Sequence, residues 1–308
     1  MHPRWIKDGC ILSLTQRTVD RQFLFKPDSV VRNIIGASAA RALKDHPISL
    51  YWLEMNINHE QMGVAPLDGS EESLTNVIKF KQTFHRILAE EINRYLEREG
   101  AIFSSASRDV ECVDNESVAD RYEYALTNPV KDGLVERVAH WKGFSSYDAL
   151  ARGKDEVYTY IDRTAWHKAG GKRSGKSLEA FTKTIRLTFT PLPGTENLTP
   201  EQRQADIRRR CRELEKQFRH ERQELGKTVM GQAKLSKLKH RDRPKTKAKR
   251  TRKPICHAAS DEARQAFREA YKAFLDAYRI ASAAYRSGCY DVEFPAGSFR
   301  PPLIVAAA

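Results

Sequence analysis

No apolar run in this chain is long enough to cross a bilayer, and none follows the opening Met1-His2-Pro3-Arg4-Trp5 to form a secretion signal. Membrane spanning and export are not expected, and a bacterial cytoplasm, with the nucleoid as the bound location, is the expected home. Cysteine is scarce. The five that occur (Cys10, Cys112, Cys211, Cys256, Cys289) are scattered, odd in number and never spaced as Cys-x-x-Cys. That excludes a zinc ribbon or a disulfide framework and fits a reducing compartment. Internal repeats are absent. A Walker loop is absent in substance: Gly170-x-x-x-x-Gly175-Lys176-Ser177 has the letters, but the polar stretch 158–167 is no buried strand leading into it. The segment reads as a flexible basic loop.

Positive charge is plentiful and uneven. Of the net +13, residues 234–253 carry +10, from eleven Lys or Arg against the single acid Asp242. The other 288 residues share only +3. A polyanionic partner is expected, with the basicity concentrated in one tract rather than over the whole surface. Within it Lys245, Lys247, Lys249, Arg250, Arg252 and Lys253 are candidate nucleic-acid contacts. Such a run also reads as an ordinary solvated tail.

The most informative stretch is Tyr124-Ala125-Leu126-Thr127-Asn128-Pro129-Val130-Lys131-Asp132-Gly133-Leu134-Val135. On a helix, Tyr124 and Asn128 lie one turn apart on one face. The proline and the later glycine are expected to stop that helix. By spacing alone the pair reads either as a packed helix end or as a nucleophile beside a metal ligand. Tyr122 points to another helical face and reads as packing.

The segment resembles the tyrosine-helix signature Tyr-x-x-x-Asn-Pro-Val-x-x-Gly-Leu-Val of the REP-associated tyrosine transposases, the single-tyrosine branch of the HUH (His-hydrophobe-His) endonuclease superfamily. Downstream, Trp141-Lys142-Gly143-Phe144-Ser145-Ser146-Tyr147 is similar to that family's Trp-Pro-Trp-Ser-Ser-Tyr. Upstream, Asn56-Ile57-Asn58-His59-Glu60-Gln61-Met62-Gly63-Val64 sits where the family carries Pro-Asn-His-x-His-Leu. The likeness covers residues 10–150. The tail Phe294-Pro295-Ala296-Gly297-Ser298-Phe299 is similar to C-terminal ends in one bacterial subgroup of the family.

The patterning supplies an element order. Residues 11–25 alternate loosely as a strand or hairpin, and Pro27-Asp28-Ser29 opens a helix whose apolar positions run from Val30 to Leu43. Strands follow at 48–57 and 59–64, then a long helix over 73–98 closed by Gly100, a short strand at 110–113, and the tyrosine helix over 117–128. Strand-helix-strand-strand-helix-strand is the split βαβ order of an α+β, ferredoxin-like fold, with an antiparallel sheet and helices on one face. The resemblance implies the same βαββαβ core. The expected organisation is 1–150 as a transposase-like catalytic and DNA-binding domain, 151–200 as a loop-rich connector with an extra strand at 185–190, 201–254 as a charged, exposed helix and basic tract, and 255–308 as an amphipathic C-terminal helix (261–286) and tail.

The resemblance also implies a chemistry. Tyr124 would attack a phosphodiester and carry a 5′-phosphotyrosine link, with His59, Gln61 and Asn128 holding Mg²⁺ or Mn²⁺. Gln61 stands where the family has its second histidine; an amide oxygen suits a hard cation, and some viral initiators resembling the superfamily use glutamine there. Glu60 stands where a hydrophobe is usual. It should face the helix layer, so that it either has a partner there or the strand register is shifted. Arg17 and Arg21 flank the first strand as candidate phosphate contacts, and His85 and His140 read as helix-surface residues. The implied partner is single-stranded or hairpin DNA, with a homodimer possible and no membrane. A weakened relative that binds without nicking, and a structural nucleic-acid protein working through its basic tail, are the competing readings.

Overall fold

The computed structural model describes residues 3–105, 107–245 and 254–302. The chain is α+β. Strands β1 (Ile11–Arg17), β2 (Ser49–Asn56), β3 (His59–Ala65) and β4 (Arg108–Cys112) lie in the order β2-β3-β1-β4, every neighbour antiparallel. Helices α1 (Ser29–Asp45) and α2 (Glu71–Tyr95) pack on one face over Leu14, Leu53, Met62 and Val64, all sealed from solvent. Each large apolar side chain so buried contributes roughly 1.5–3 kcal/mol.

Local chemistry sets the helix ends. Asp28 caps α1, its Oδ1 accepting from Val30 N at 2.8 Å and Val31 N at 3.2 Å. Ser70 caps α2, so that helix begins at Glu71, ahead of the expected 73, with Glu71 and Glu72 against its positive end. Helix α3 (Asn115–Lys131) starts from a capping box between Asp114 and Ser117. Pro129 does not stop it. The proline sits in the last turn, and the stop is Gly133 at φ +68°, with Leu134 N bonding Pro129 O at 2.9 Å and Gly133 N bonding Val130 O at 3.0 Å. That is a Schellman closure, which needs a residue tolerant of the left-handed region.

Two features correct the expected layering. Helix α3 covers the opposite face of the sheet from α1 and α2, packing on Trp52, Ala65 and Cys112. On that face a Cβ at Gly63 would fall inside the Trp52 ring, so the glycine is what admits the indole. The sheet is also mixed rather than purely antiparallel, because a fifth strand pairs in parallel with β4.

Beyond Tyr147 come α4 (Tyr147–Arg152), β5 (Glu156–Ile161), α5 (Arg163–Lys168) and β6 (Thr182–Leu187). Among the described residues strands β5 and β6 pair only with each other, forming an antiparallel hairpin packed on α1. Helix α6 (Pro200–Glu224) is not simply exposed: Cys211, Glu215, Phe218 and Arg222 are buried against α3 and α4. The contact joins apolar packing by Cys211 and Phe218 to polar anchors. Glu215 accepts from Val138 N at 2.7 Å, and Arg222 donates to Val130 O at 2.8 Å. Helix α7 (Gln232–Leu235), β7 (Cys256–His257, the strand on β4) and α8 (Asp261–Arg286) complete the chain. Trp5 stacks on Phe274 of α8 with ring centres 4.7 Å apart. Among the described residues no helix is long and apolar enough to cross a membrane.

Candidate functional site

Strand β3 alternates, and α3 covers one of its faces. His59, Gln61 and Gly63 face α3; Glu60, Met62 and Val64 face α1 and α2. The register is therefore not shifted, and Glu60 has a partner. Its Oε1 lies 2.6 Å from Nε2 of His85 on α2. His85 is thus no idle surface residue. The signal that could have found it was an ionisable residue at a core position of β3 opposite a histidine on the predicted helix.

On the α3 side the three expected ligands come together. Asn128 Nδ2 stands 3.0 Å from His59 Nε2 and 3.0 Å from Gln61 Oε1. Asn56, paired across the β2–β3 hairpin with His59, donates to Asp132 Oδ2 at 2.8 Å and reaches Asn128 Oδ1 at 3.4 Å. His59 Nδ1 lies 3.0 Å from Asn58 Oδ1. These contacts are satisfied together by the tautomer protonated on Nδ1, which leaves the Nε2 lone pair to accept from the Asn128 amide. His59 keeps some solvent contact, yet burial, helped by the Arg17 guanidinium, pulls its pKa down to about 4. The ring is neutral at pH 7. Asp132 was missed by sequence reasoning. Part of its surface is open, but the protein around it raises its carboxyl above the usual carboxylate range, against the Asn56 hydrogen bond and the charges of Lys131 and Arg17.

Tyr124 sits one turn earlier on α3, half-buried. Lys131 Nζ lies 4.3 Å from its ring centre and the Arg121 guanidinium 5.1 Å from it. Burial and then Asp132 raise its phenol above the ordinary value, while Arg121 and Arg17 pull the other way. Tyr122 is sealed beneath it, edge-on to Trp52 at 5.9 Å, as packing requires.

The phenol opens into a cavity of about 760 Å³. Arg17, Arg21, Arg108, Arg121 and Arg243 line it, with Asp20 the one acid on its wall among the described residues; Gln61 and His257 line it too. The two arginines expected from sequence are there, and three more join them from β4, α3 and the C-terminal extension. Asp20 (φ 49°) and Arg21 (φ 59°) hold consecutive left-handed backbone at its rim, costing about 1–3 kcal/mol each and clustering, as such strain does, beside a candidate site. His257, brought in by β7, has its pKa lowered to about 4 by burial and then by Arg121. Lys245 is exposed. Lys247, Lys249, Arg250, Arg252 and Lys253 lie outside the described residues, though Arg243 and Pro254 on either side both line the cavity.

Among the described residues no group of three His, Cys, Asp or Glu could hold a metal ion; any cation here would rely on amide oxygens besides His59. No protein-family model matches the sequence, and no curated protein matches it. A solved structure of a REP-associated tyrosine transposase bound to a REP hairpin is similar with a TM-score of 0.39 and 17% identity, over 50% of this chain and 86% of that one. So shallow a likeness bears on neither fold nor activity.

Proposed function

We propose that the chain is a tyrosine endonuclease of the HUH type, with a ferredoxin-like βαββαβ core, that binds single-stranded or hairpin DNA and cleaves and rejoins it through Tyr124. One observation carries the reading. His59 Nε2 and Gln61 Oε1 converge at 3.0 Å on the Asn128 amide, one helical turn from a tyrosine that opens into an arginine-lined cavity. Sequence resemblance and geometry point to the same four side chains.

In this reading the arginines of the cavity neutralise phosphates and set the strand against Tyr124. The Tyr124 hydroxyl gives up its proton, and its oxygen forms a bond to phosphorus. The bond from phosphorus to the 3′-oxygen breaks, and that oxygen leaves as a 3′-hydroxyl by taking a proton. The donor set fits a hard divalent cation: one neutral imidazole nitrogen, aimed by Asn58, with amide oxygens from Gln61 and Asn128. Bound Mg²⁺ or Mn²⁺ would polarise the scissile phosphate and offset its charge. Asn128 would offer such an ion its oxygen by turning its amide, giving up the 3.4 Å contact of that oxygen with Asn56 Nδ2.

A second reading, a nucleic-acid binder that no longer nicks, is favoured by that same amide. As it stands, Asn128 directs its nitrogen at both neighbours, closing the three side chains on one another. One experiment separates the readings. Labelled hairpin DNA with Mn²⁺ should give a covalent adduct that survives denaturing electrophoresis, and Tyr124→Phe should abolish it. No adduct in the wild type establishes the binder; an adduct that persists in Tyr124→Phe removes Tyr124 from the mechanism.

A further inference from the structure

The β5–β6 hairpin is an arm with a built base and a charged tip. At the base, Tyr158 and Leu187 enter the core, and the Tyr158 hydroxyl donates to Glu156, which Arg32 also meets at 3.5 Å. Asn33 clasps the backbone of Thr159 both ways, Nδ2 to its carbonyl at 2.8 Å and its N–H to Oδ1 at 3.0 Å. A Cβ at Gly36 of α1 would fall inside the Tyr158 ring, so the helix has a notch for the arm. The arm is docked, not loose.

Beyond Ile161 the charge becomes one-sided. Between Asp162 and Glu179 the sequence has no acid. Asp162 takes Lys183 at 2.6 Å, and Arg163 reaches Glu91 at 3.8 Å. Lys168, Lys172, Arg173 and Lys176 are exposed and have no acidic partner among the described residues. The turn that carries them is ordered. Ser174 Oγ donates to Gly171 O at 2.8 Å, Lys176 N donates to Ser174 Oγ at 3.2 Å, and the Trp166 indole N–H donates to Lys176 O at 3.1 Å. Gly170, at φ +102°, leaves the backbone bare at the crest. An open cleft of about 550 Å³ results, lined by Trp166, His167, Gly170, Gly171, Lys172 and Arg173.

We propose that this cleft binds single-stranded nucleic acid, one base stacking on Trp166 while Lys172, Arg173 and Lys176 follow the phosphates. Unpaired cations in this density hold counterions, and a polyanion that displaces them gains their release. Aromatic and cationic groups side by side suit an unstacked base with its backbone, which neither a duplex nor an acidic peptide presents. Gly170, which is exposed, lets that backbone approach closely. The arm packs on α1, across the sheet from α3 and Tyr124, so this contact is separate from the tyrosine cavity and does not depend on that cavity's chemistry.

The test is titration of the full chain with a short fluorescent oligothymidine, too short to bridge the two faces. The Lys172→Glu/Arg173→Glu/Lys176→Glu variant should bind one strand per chain fewer than the wild type. The slope of log K against log salt for the lost site should account for about 0.7 per phosphate contact. Trp166→Ala should weaken the arm site about tenfold for oligothymidine and leave an abasic strand unaffected, with Trp166→Phe restoring binding. Unchanged stoichiometry and salt slope in the charge variant would overturn the proposal. So would a Trp166→Ala loss equal for both strands, or no loss with either. Tyr124→Phe should leave the arm site unchanged, so a failed adduct experiment and a failed arm experiment are told apart.

Discussion

On the α2 side of β3, Glu60 is sealed from solvent and its Oε1 meets a single partner, His85 Nε2, at 2.6 Å. One residue along, on the α3 side, Gln61 belongs to a set in which Asn128 serves two neighbours at once, beside an open arginine-lined cavity. The two faces teach where to look for function. A polar group with one fixed partner and no access is structural. Polar groups that share partners next to solvent can exchange them for a ligand without breaking the core.

The largest effect should come from breaking the closed pair. His85→Ala leaves the Glu60 carboxyl buried, with both oxygens unpaired since Oε2 already lacks a partner. The expected cost is about 3–5 kcal/mol in urea unfolding, whereas Glu60→Leu with His85→Leu should come back close to wild type. A cost under about 1 kcal/mol for His85→Ala would make this face as adaptable as the other.

Much of this frame was legible in the sequence. Asp28 before a helical apolar stripe announces α1 by local chemistry, and alternation announces β2, although a bulge between Leu50 and Trp52 interrupts it. What was not legible depends on distant partners. A two-residue strand such as β7 has no pattern of its own and exists because β4 offers an edge. The packed face of α6 carries Glu215 and Arg222, with half-buried Arg210 at its margin, and these read as solvated until Val138, Val130 and Glu123 are seen opposite them. Whether α3 lies on the same face as α1 or the other one is a matter of connection, which periodicity does not record. The site divides likewise: Tyr124, Asn128, His59 and Gln61 could be named from the motif, while Asp132, Arg121, Arg108 and His257 join by folding alone.

Glu54 sharpens the comparison, because it shares the α3 face with Gln61, its direct cross-strand partner, yet is closed in. Its Oε1 accepts from Ser145 Oγ, Ser146 N and Ser146 Oγ at 2.8–3.0 Å, and Oε2 has no partner among the described residues. Burial raises its carboxyl well above the usual range, against those hydrogen bonds. A carboxyl with a raised folded-state pKa holds its proton more tightly than the unfolded chain does. Stability is then greatest below the unfolded value and falls as pH rises through the folded one. Glu54→Gln keeps the acceptor and removes the charge. Thermal unfolding should show little change at pH 4 and a gain of about 1–3 kcal/mol at pH 8. An equal effect at both would mean that exposure, not face, fails as the criterion.

The smallest effect on stability, and the most telling for the open face, is expected from Gln61→His. The substitution is close in volume and sits at the cavity wall, so unfolding free energy should move by less than about 1 kcal/mol. Ligand behaviour should move more. A second imidazole beside His59 replaces a neutral amide oxygen by a better donor, and Mn²⁺ binding followed by calorimetry should tighten on the order of tenfold, with preference shifting towards softer cations such as Co²⁺ and Zn²⁺. Two results would count against it. Equal Mn²⁺ affinity in both proteins would take position 61 out of the ligand set while leaving His59 and Asn128 in it. No binding by either protein would mean that the shared amide of Asn128 is the closed arrangement of a nucleic-acid binder, and that the two faces of β3 differ in access but not in role.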